Sequence, residues 1–121
     1  MKEIMEVIRN ARITDGRHKF SPELGYPLIT DGLMALDKEA KCIELYVRIG
    51  SWQTKSSKPD PEFQKWVLTV KDNKSGKLLC YNKNGKRVLT DKISYIDTPL
   101  IGLTLYLIDG VLMLPGEYME V

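Results

Sequence analysis

Leu103-Thr104-Leu105-Tyr106-Leu107-Ile108, then Asp109-Gly110, then Val111-Leu112-Met113-Leu114: two apolar runs are separated by a dipeptide whose residues both accept positive φ. Asp-Gly between such runs is the strongest hairpin signal in the chain, and it makes the last third antiparallel β. The same grammar continues upstream. Residues 64–70 are rich in aromatic and β-branched types, residues 71–76 (Lys-Asp-Asn-Lys-Ser-Gly) supply turn chemistry, and residues 77–81 form the next run. Asn84-Gly85 then reads as a tight two-residue turn with both residues at positive φ.

The first half follows a different period. Ile4, Met5, Val7, Ile8 and Ala11 form one stripe of a helix over residues 2–12, and Thr14-Asp15-Gly16 ends it. A loop with Pro22 and Gly25 leads to Thr30-Asp31-Gly32, where Thr30 or Asp31 can cap a new helix beginning with Leu33-Met34-Ala35-Leu36. Residues 43–52 are ambiguous. Ile43, Leu45, Val47 and Ile49 alternate with polar or aromatic neighbours, which favours a strand, while Ile43, Tyr46, Val47 and Gly50 fit a helical face. Two prolines in the polar residues 53–61 then mark the change to the strand half. The expected architecture is α+β, with N-terminal helices packed on one face of a C-terminal antiparallel β-meander, in a single domain over residues 1–121.

At 121 residues, 43% hydrophobic and 28% charged, the chain can bury a core without a disulfide or metal staple, which excludes disordered and disulfide-scaffold classes. No apolar run reaches membrane-spanning length and the start lacks a signal-peptide core, so a cytoplasmic protein without a membrane partner is expected. Cys42 and Cys80 stand alone in apolar stretches, without ligand spacing, and read as small buried hydrophobes.

The net charge of +2 conceals a polarised chain: +1 over residues 1–70, +5 over 71–92 and −4 over 93–121. Lys71, Lys74, Lys77, Lys83, Lys86, Arg87 and Lys92 gather around the two turns and are the candidate binding residues. Solvated hairpin tips kept soluble by lysine are the plainer explanation of the same pattern. Catalytic signals are weak. His18 is the sole histidine and makes no recognisable nucleophile and base unit with its sequence neighbours, Asp97, Asp109, Glu117 and Glu120 make no paired acid and base, and phosphate-loop glycine spacing is missing. Convergence of His18, Asp97 and Glu117 in one cleft would revive a catalytic reading. Trp66, Tyr81, Tyr95 and Tyr106 fall on expected strands, where packing in the core is favoured over stacking on bases.

Four blocks carry a resemblance: Tyr26-Pro27-Leu28-Ile29-Thr30-Asp31-Gly32, Phe63-Gln64-Lys65-Trp66-Val67-Leu68-Thr69-Val70, Ile93-Ser94-Tyr95-Ile96-Asp97-Thr98-Pro99-Leu100, and Gly110-Val111-Leu112-Met113-Leu114-Pro115-Gly116-Glu117-Tyr118. In order and spacing the chain resembles the DUF6876 family of small uncharacterised proteins of bacteria, phages and plasmids, over about residues 25–118. In similar proteins the segment equivalent to residues 43–52 reads as a helix with a tryptophan near its start, where this chain has Ile43-Glu44-Leu45. The resemblance therefore implies a helix there. It implies no reaction and no cofactor. The functional expectation is a non-catalytic binder of the mobile-element type that docks on a host macromolecule, a protein or ribonucleoprotein. Its most concrete form is an anti-CRISPR-like inhibitor of an RNA-guided nuclease. The alternatives are a nucleic-acid-binding module using residues 71–92 and a small enzyme with an unrecognised site. Leu114-Pro115-Gly116-Glu117-Tyr118 reads as a turn that terminates the sheet.

Overall fold

A computed structural model describes residues 16–18, 28–54, 59, 60 and 62–117. The helix expected over residues 2–12 lies outside these residues. Two short strands, β1 (Arg17–His18) and β2 (Leu28–Thr30), precede the helices α1 (Asp31–Ala40) and α2 (Ile43–Gln53). Five strands follow: β3 (Gln64–Val70), β4 (Gly76–Tyr81), β5 (Arg87–Ile93), β6 (Gly102–Ile108) and β7 (Val111–Met113). A 3-10 turn at Pro115–Glu117 closes the described chain.

The α+β expectation holds, with a richer topology than a meander. All seven strands form one sheet in the order β1-β2-β7-β6-β3-β4-β5. β2 lies parallel to β7, and the other pairs are antiparallel. The connection from β5 to β6 crosses from the sheet edge past β4 and β3, because β3 takes β4 and β6 as its two neighbours. Alternation along the strands sends Trp66, Leu68, Leu78, Cys80, Leu103, Leu105 and Leu107 to one face. They form a single cluster with Leu33, Leu36 and Ala40 of α1 and Leu45, Tyr46 and Ile49 of α2.

The capping pattern explains both helices. Thr30 is the N-cap of α1 and its Oγ1 accepts from the Leu33 amide (3.5 Å), as its position predicts. Lys41 ends the helix in the left-handed region, φ 54°, and donates its amide to the Asp37 carbonyl. Residues 43–53 are helical, so the alternation of Ile43, Leu45, Val47 and Ile49 is misleading and the helix implied by family resemblance is correct. No polar cap precedes α2 in sequence. Instead Asp37, one turn back in α1, accepts from the amides of Cys42 (2.8 Å) and Ile43 (3.0 Å) and satisfies the first free donors of α2. The buried stripe is Leu45, Tyr46, Ile49, Gly50 and Gln53, a helical spacing.

The turns divide. Asp109 (φ 48°) and Gly110 (φ 85°) both adopt positive φ between the paired Ile108 and Val111, the two-residue turn expected. At the other predicted tight turn only Gly85 does (φ 81°). There the Asn82 amide reaches the Lys86 carbonyl and the β4–β5 register shifts at Cys80/Tyr81, so the loop is wider than Asn-Gly alone suggested. Tyr95 is also placed differently: it lies beyond the end of β5, in the connection to β6, and not on a strand.

Polar groups brought into the core are paired. Gln53 and Gln64 exchange amide hydrogen bonds (2.8 Å each way), and the Trp66 indole donates to Gln64 Oε1 (2.9 Å). Tyr46 donates its hydroxyl to the Leu33 carbonyl, and burial pushes its pKa up. No buried side-chain nitrogen or oxygen among the described residues lacks a partner.

Candidate functional site: a lysine cluster at one end of the sheet

The β3–β4 turn, the end of β5 and the start of β6 all fall at one end of the sheet, since Gly76 pairs with Val70 and Ile93, and Thr69 pairs with Gly102. Gly76 is required there, because a Cβ would stand 2.6 Å from the Thr69 carbonyl of the neighbouring strand. The turn closes through the Lys74 amide to the Lys71 carbonyl and the Lys71 amide to the Ser75 carbonyl, with Lys74 left-handed at φ 69°. Asn73 Oδ1 accepts from both the amide and the hydroxyl of Ser75, which stiffens it.

Lys77 and Lys92 face each other directly across the β4–β5 ladder. Like charges at this spacing repel, so the pair weakens the sheet unless an anion sits between them. Lys71 joins them: Thr69, Lys71, Ser75, Gly76, Lys77, Lys92 and Ile93 line an open cavity of about 390 Å³. No carboxylate lines it, and none of the three lysines forms an ion pair among the described residues. Three ammonium groups and the Thr69 hydroxyl make a donor-rich seat for an anion's oxygens.

The seven basic candidates therefore do not form one patch. Lys71, Lys77 and Lys92 converge. Lys74 is adjacent but committed, its Nζ donating to the Thr98 carbonyl (3.0 Å). Lys83, Lys86 and Arg87 belong to the far end of the same hairpin, about 20 Å away along six residues of β4. Lys83 there shares cavities with Asp60, Glu62 and Asp109, so its charge is offset by acidic neighbours.

Among the described residues His18, Asp97 and Glu117 stand in separate surroundings, and Glu120 lies outside the described residues. Glu117, 6% exposed, accepts from Thr30 Oγ1 (2.5 Å), the Gly32 amide (3.1 Å) and the Leu114 amide (3.0 Å). It ties the first turn of α1 to the end of β7, so the two segments Thr30-Asp31-Gly32 and Leu114-Pro115-Gly116-Glu117 fit each other; Tyr118 lies outside the described residues. The terminating turn is thus structural in its acidic residue. His18 Nε2 meets Asp31 Oδ1 (2.6 Å), a pairing invisible in sequence because β1 must first lie against β2. Asp97 lines a separate shallow cavity with Asp37, Lys41, Ile43 and Glu44. Both cysteines are buried and unpaired, and burial pushes each thiol up to about 12. Among the described residues no group of three His, Cys, Asp or Glu side chains is placed to hold a metal ion, and no helix is long and apolar enough to cross a membrane.

Neither a curated protein nor a solved structure matches the chain. A family model does, over residues 2–118, which extends the resemblance seen from residue 25 onward to include the N-terminal segment. With nearly its whole length matched, the chain belongs to the Family of unknown function DUF6876.

Proposed function

We propose that the protein is a non-catalytic binding protein that grips a nucleic-acid strand by its phosphates, through Lys71, Lys77 and Lys92. The observation that carries this reading is the Lys77–Lys92 pair, two like charges held opposite each other with Lys71 beside them and no acid in the cavity they line. A sheet end needing only solubility is served by lysines spread apart; three around one cavity suit a bound anion. The hydroxyl of Thr69 adds a donor of the kind that phosphate oxygens accept.

The test is a salt titration of binding to a labelled oligonucleotide. Three single-strand phosphate contacts give a log K against log salt slope of about −2, at roughly −0.7 per contact. Reversing the cluster (K71E/K77E/K92E) should abolish binding, whereas reversing the far end (K83E/K86E/R87E) should leave most of it. Loss of binding in both variants alike, or no binding by the native chain at low salt, refutes the reading. Inhibition of an RNA-guided nuclease would be one use of such a grip. It is examined separately, by measuring phage or plasmid interference with the native chain and with the K71E/K77E/K92E variant.

A further inference from the structure

The connection between β5 and β6, residues 94–101, does not swing free of the lysine end. It is pinned there at three points: the Ile96 amide to the Lys74 carbonyl (2.9 Å), Lys74 Nζ to the Thr98 carbonyl (3.0 Å), and the Val70 amide to the Ile101 carbonyl (2.9 Å). Ile93 and Ile96 are both buried, and between them Tyr95 is 59% exposed. Only three large apolar side chains are strongly exposed among the described residues, and two of them, Tyr95 and Ile101 (76%), lie on this connection. Tyr95 stands two residues beyond Ile93, itself part of the cavity lining, and one before Ile96, so an exposed ring sits on a backbone tied to the turn that carries Lys71 and Ser75.

We infer that the ligand is a single-stranded nucleic acid, with a phosphate among Lys71, Lys77 and Lys92 and the neighbouring base stacked on Tyr95. This rests on the phosphate-binding reading above and goes beyond it. An aromatic face beside a cationic groove is the arrangement that binds unpaired strands, because every base offers a π-face and the stack tolerates sequence. A duplex keeps its bases stacked on each other and leaves Tyr95 nothing to cover it. Ile101 supplies a second apolar surface at the same end of the sheet, suited to a base or sugar. Stacking and phosphate contact are blind to the sugar's identity, so RNA and DNA single strands are both ligands.

Fluorescence anisotropy decides it, at about 50 mM salt where phosphate contacts are little weakened. Labelled oligothymidylate, oligouridylate and a hairpin duplex are titrated with the native chain, Tyr95→Ala and Tyr95→Phe. The native chain should bind both single strands more tightly than the duplex. Tyr95→Ala should weaken single-strand binding about 5- to 150-fold, the loss of one stacked base, and Tyr95→Phe should retain it. Duplex affinity should not respond to either substitution. Equal affinity for single strand and duplex, single-strand binding indifferent to Tyr95→Ala, or displacement of the oligonucleotide by polyglutamate as efficient as by unlabelled strand overturns the inference while leaving a general anion grip. If neither single strand nor duplex binds the native chain, the phosphate-binding reading falls and the inference with it.

Discussion

Replacing Glu117 by alanine should be strongly destabilising. The side chain is 6% exposed and accepts three hydrogen bonds, two from backbone amides, Gly32 and Leu114, and one from the Thr30 hydroxyl. Truncation leaves those donors without a partner in a place where water enters with difficulty. At roughly 1–1.5 kcal/mol for each, the loss is about 3–5 kcal/mol. Domains of this size are stable by only about 5–15 kcal/mol, so a large share disappears. At about 4 °C per kcal/mol the midpoint of thermal unfolding should fall by about 12–20 °C. Glu117→Gln discriminates the mechanism. Oε1 takes both Thr30 and Leu114, so a glutamine oxygen can keep those two, while its NH₂ would face the Gly32 amide as donor against donor. That variant should lose about 1–2 kcal/mol. Urea denaturation of Glu117→Ala, Glu117→Gln, Thr30→Val and the Thr30→Val/Glu117→Ala double variant supplies the cycle. A loss below about 1 kcal/mol for Glu117→Ala would show that the carboxylate does not hold α1 to the sheet, and additive effects of the two sites within about 0.5 kcal/mol would show that its bond to the Thr30 hydroxyl contributes nothing.

Two further outcomes follow from buried groups. Because burial raises both thiols from 9.0 to about 12, the folded chain keeps protons that the unfolded chain releases, so their contribution to stability is complete below pH 9 and is lost as pH rises toward 12. The urea midpoint should fall from pH 8 to pH 10, less steeply in Cys80→Ala, and thiol reagents should label the native protein far more slowly than the urea-unfolded chain; rapid native labelling would contradict the burial. Asp91→Ala removes the acceptor shared by Arg48 Nε (2.7 Å), Arg48 Nη2 (3.0 Å) and Trp52 Nε1 (2.9 Å), which fastens α2 to the edge strand β5. Arg48 is 37% exposed, so solvent screening holds the expected loss to about 1–2 kcal/mol, measured by urea denaturation, and an unchanged midpoint would assign the attachment to apolar packing alone.

The elements legible in the sequence are those whose cause is local. Asp109-Gly110 dictates its turn because the φ preferences of two residues and the runs beside them suffice. Thr30 announces α1 because the cap and the donor it satisfies are three residues apart. Where the cause is distant, local reading fails. The cap of α2 is Asp37, a residue of the preceding helix, so nothing just before Ile43 marks a helix start and the alternation of residues 43–49 was free to suggest a strand. The register at Asn84-Gly85 depends on a bulge at Cys80/Tyr81 that turn residues do not encode.

The same division runs through the candidate site. Sequence by itself determined that seven basic residues crowd into the segment 71–92 and that an antiparallel hairpin passes through it, because charge and turn chemistry are properties of neighbouring residues. Which of those charges meet was decided only by the tertiary structure. Reversal of the chain at residues 82–86 sets Lys92 against Lys77 and carries Lys83, Lys86 and Arg87 to the opposite end, where Lys83 shares cavities with acidic side chains. Crossing of residues 94–101 back over the sheet end ties Ile96, next to Tyr95, to the Lys74 turn, and pairing of β2 with β7 brings Glu117 to Thr30, 87 residues away. Strand order in the sheet creates these neighbours, and it is set by how the whole core packs, which no short stretch of sequence carries.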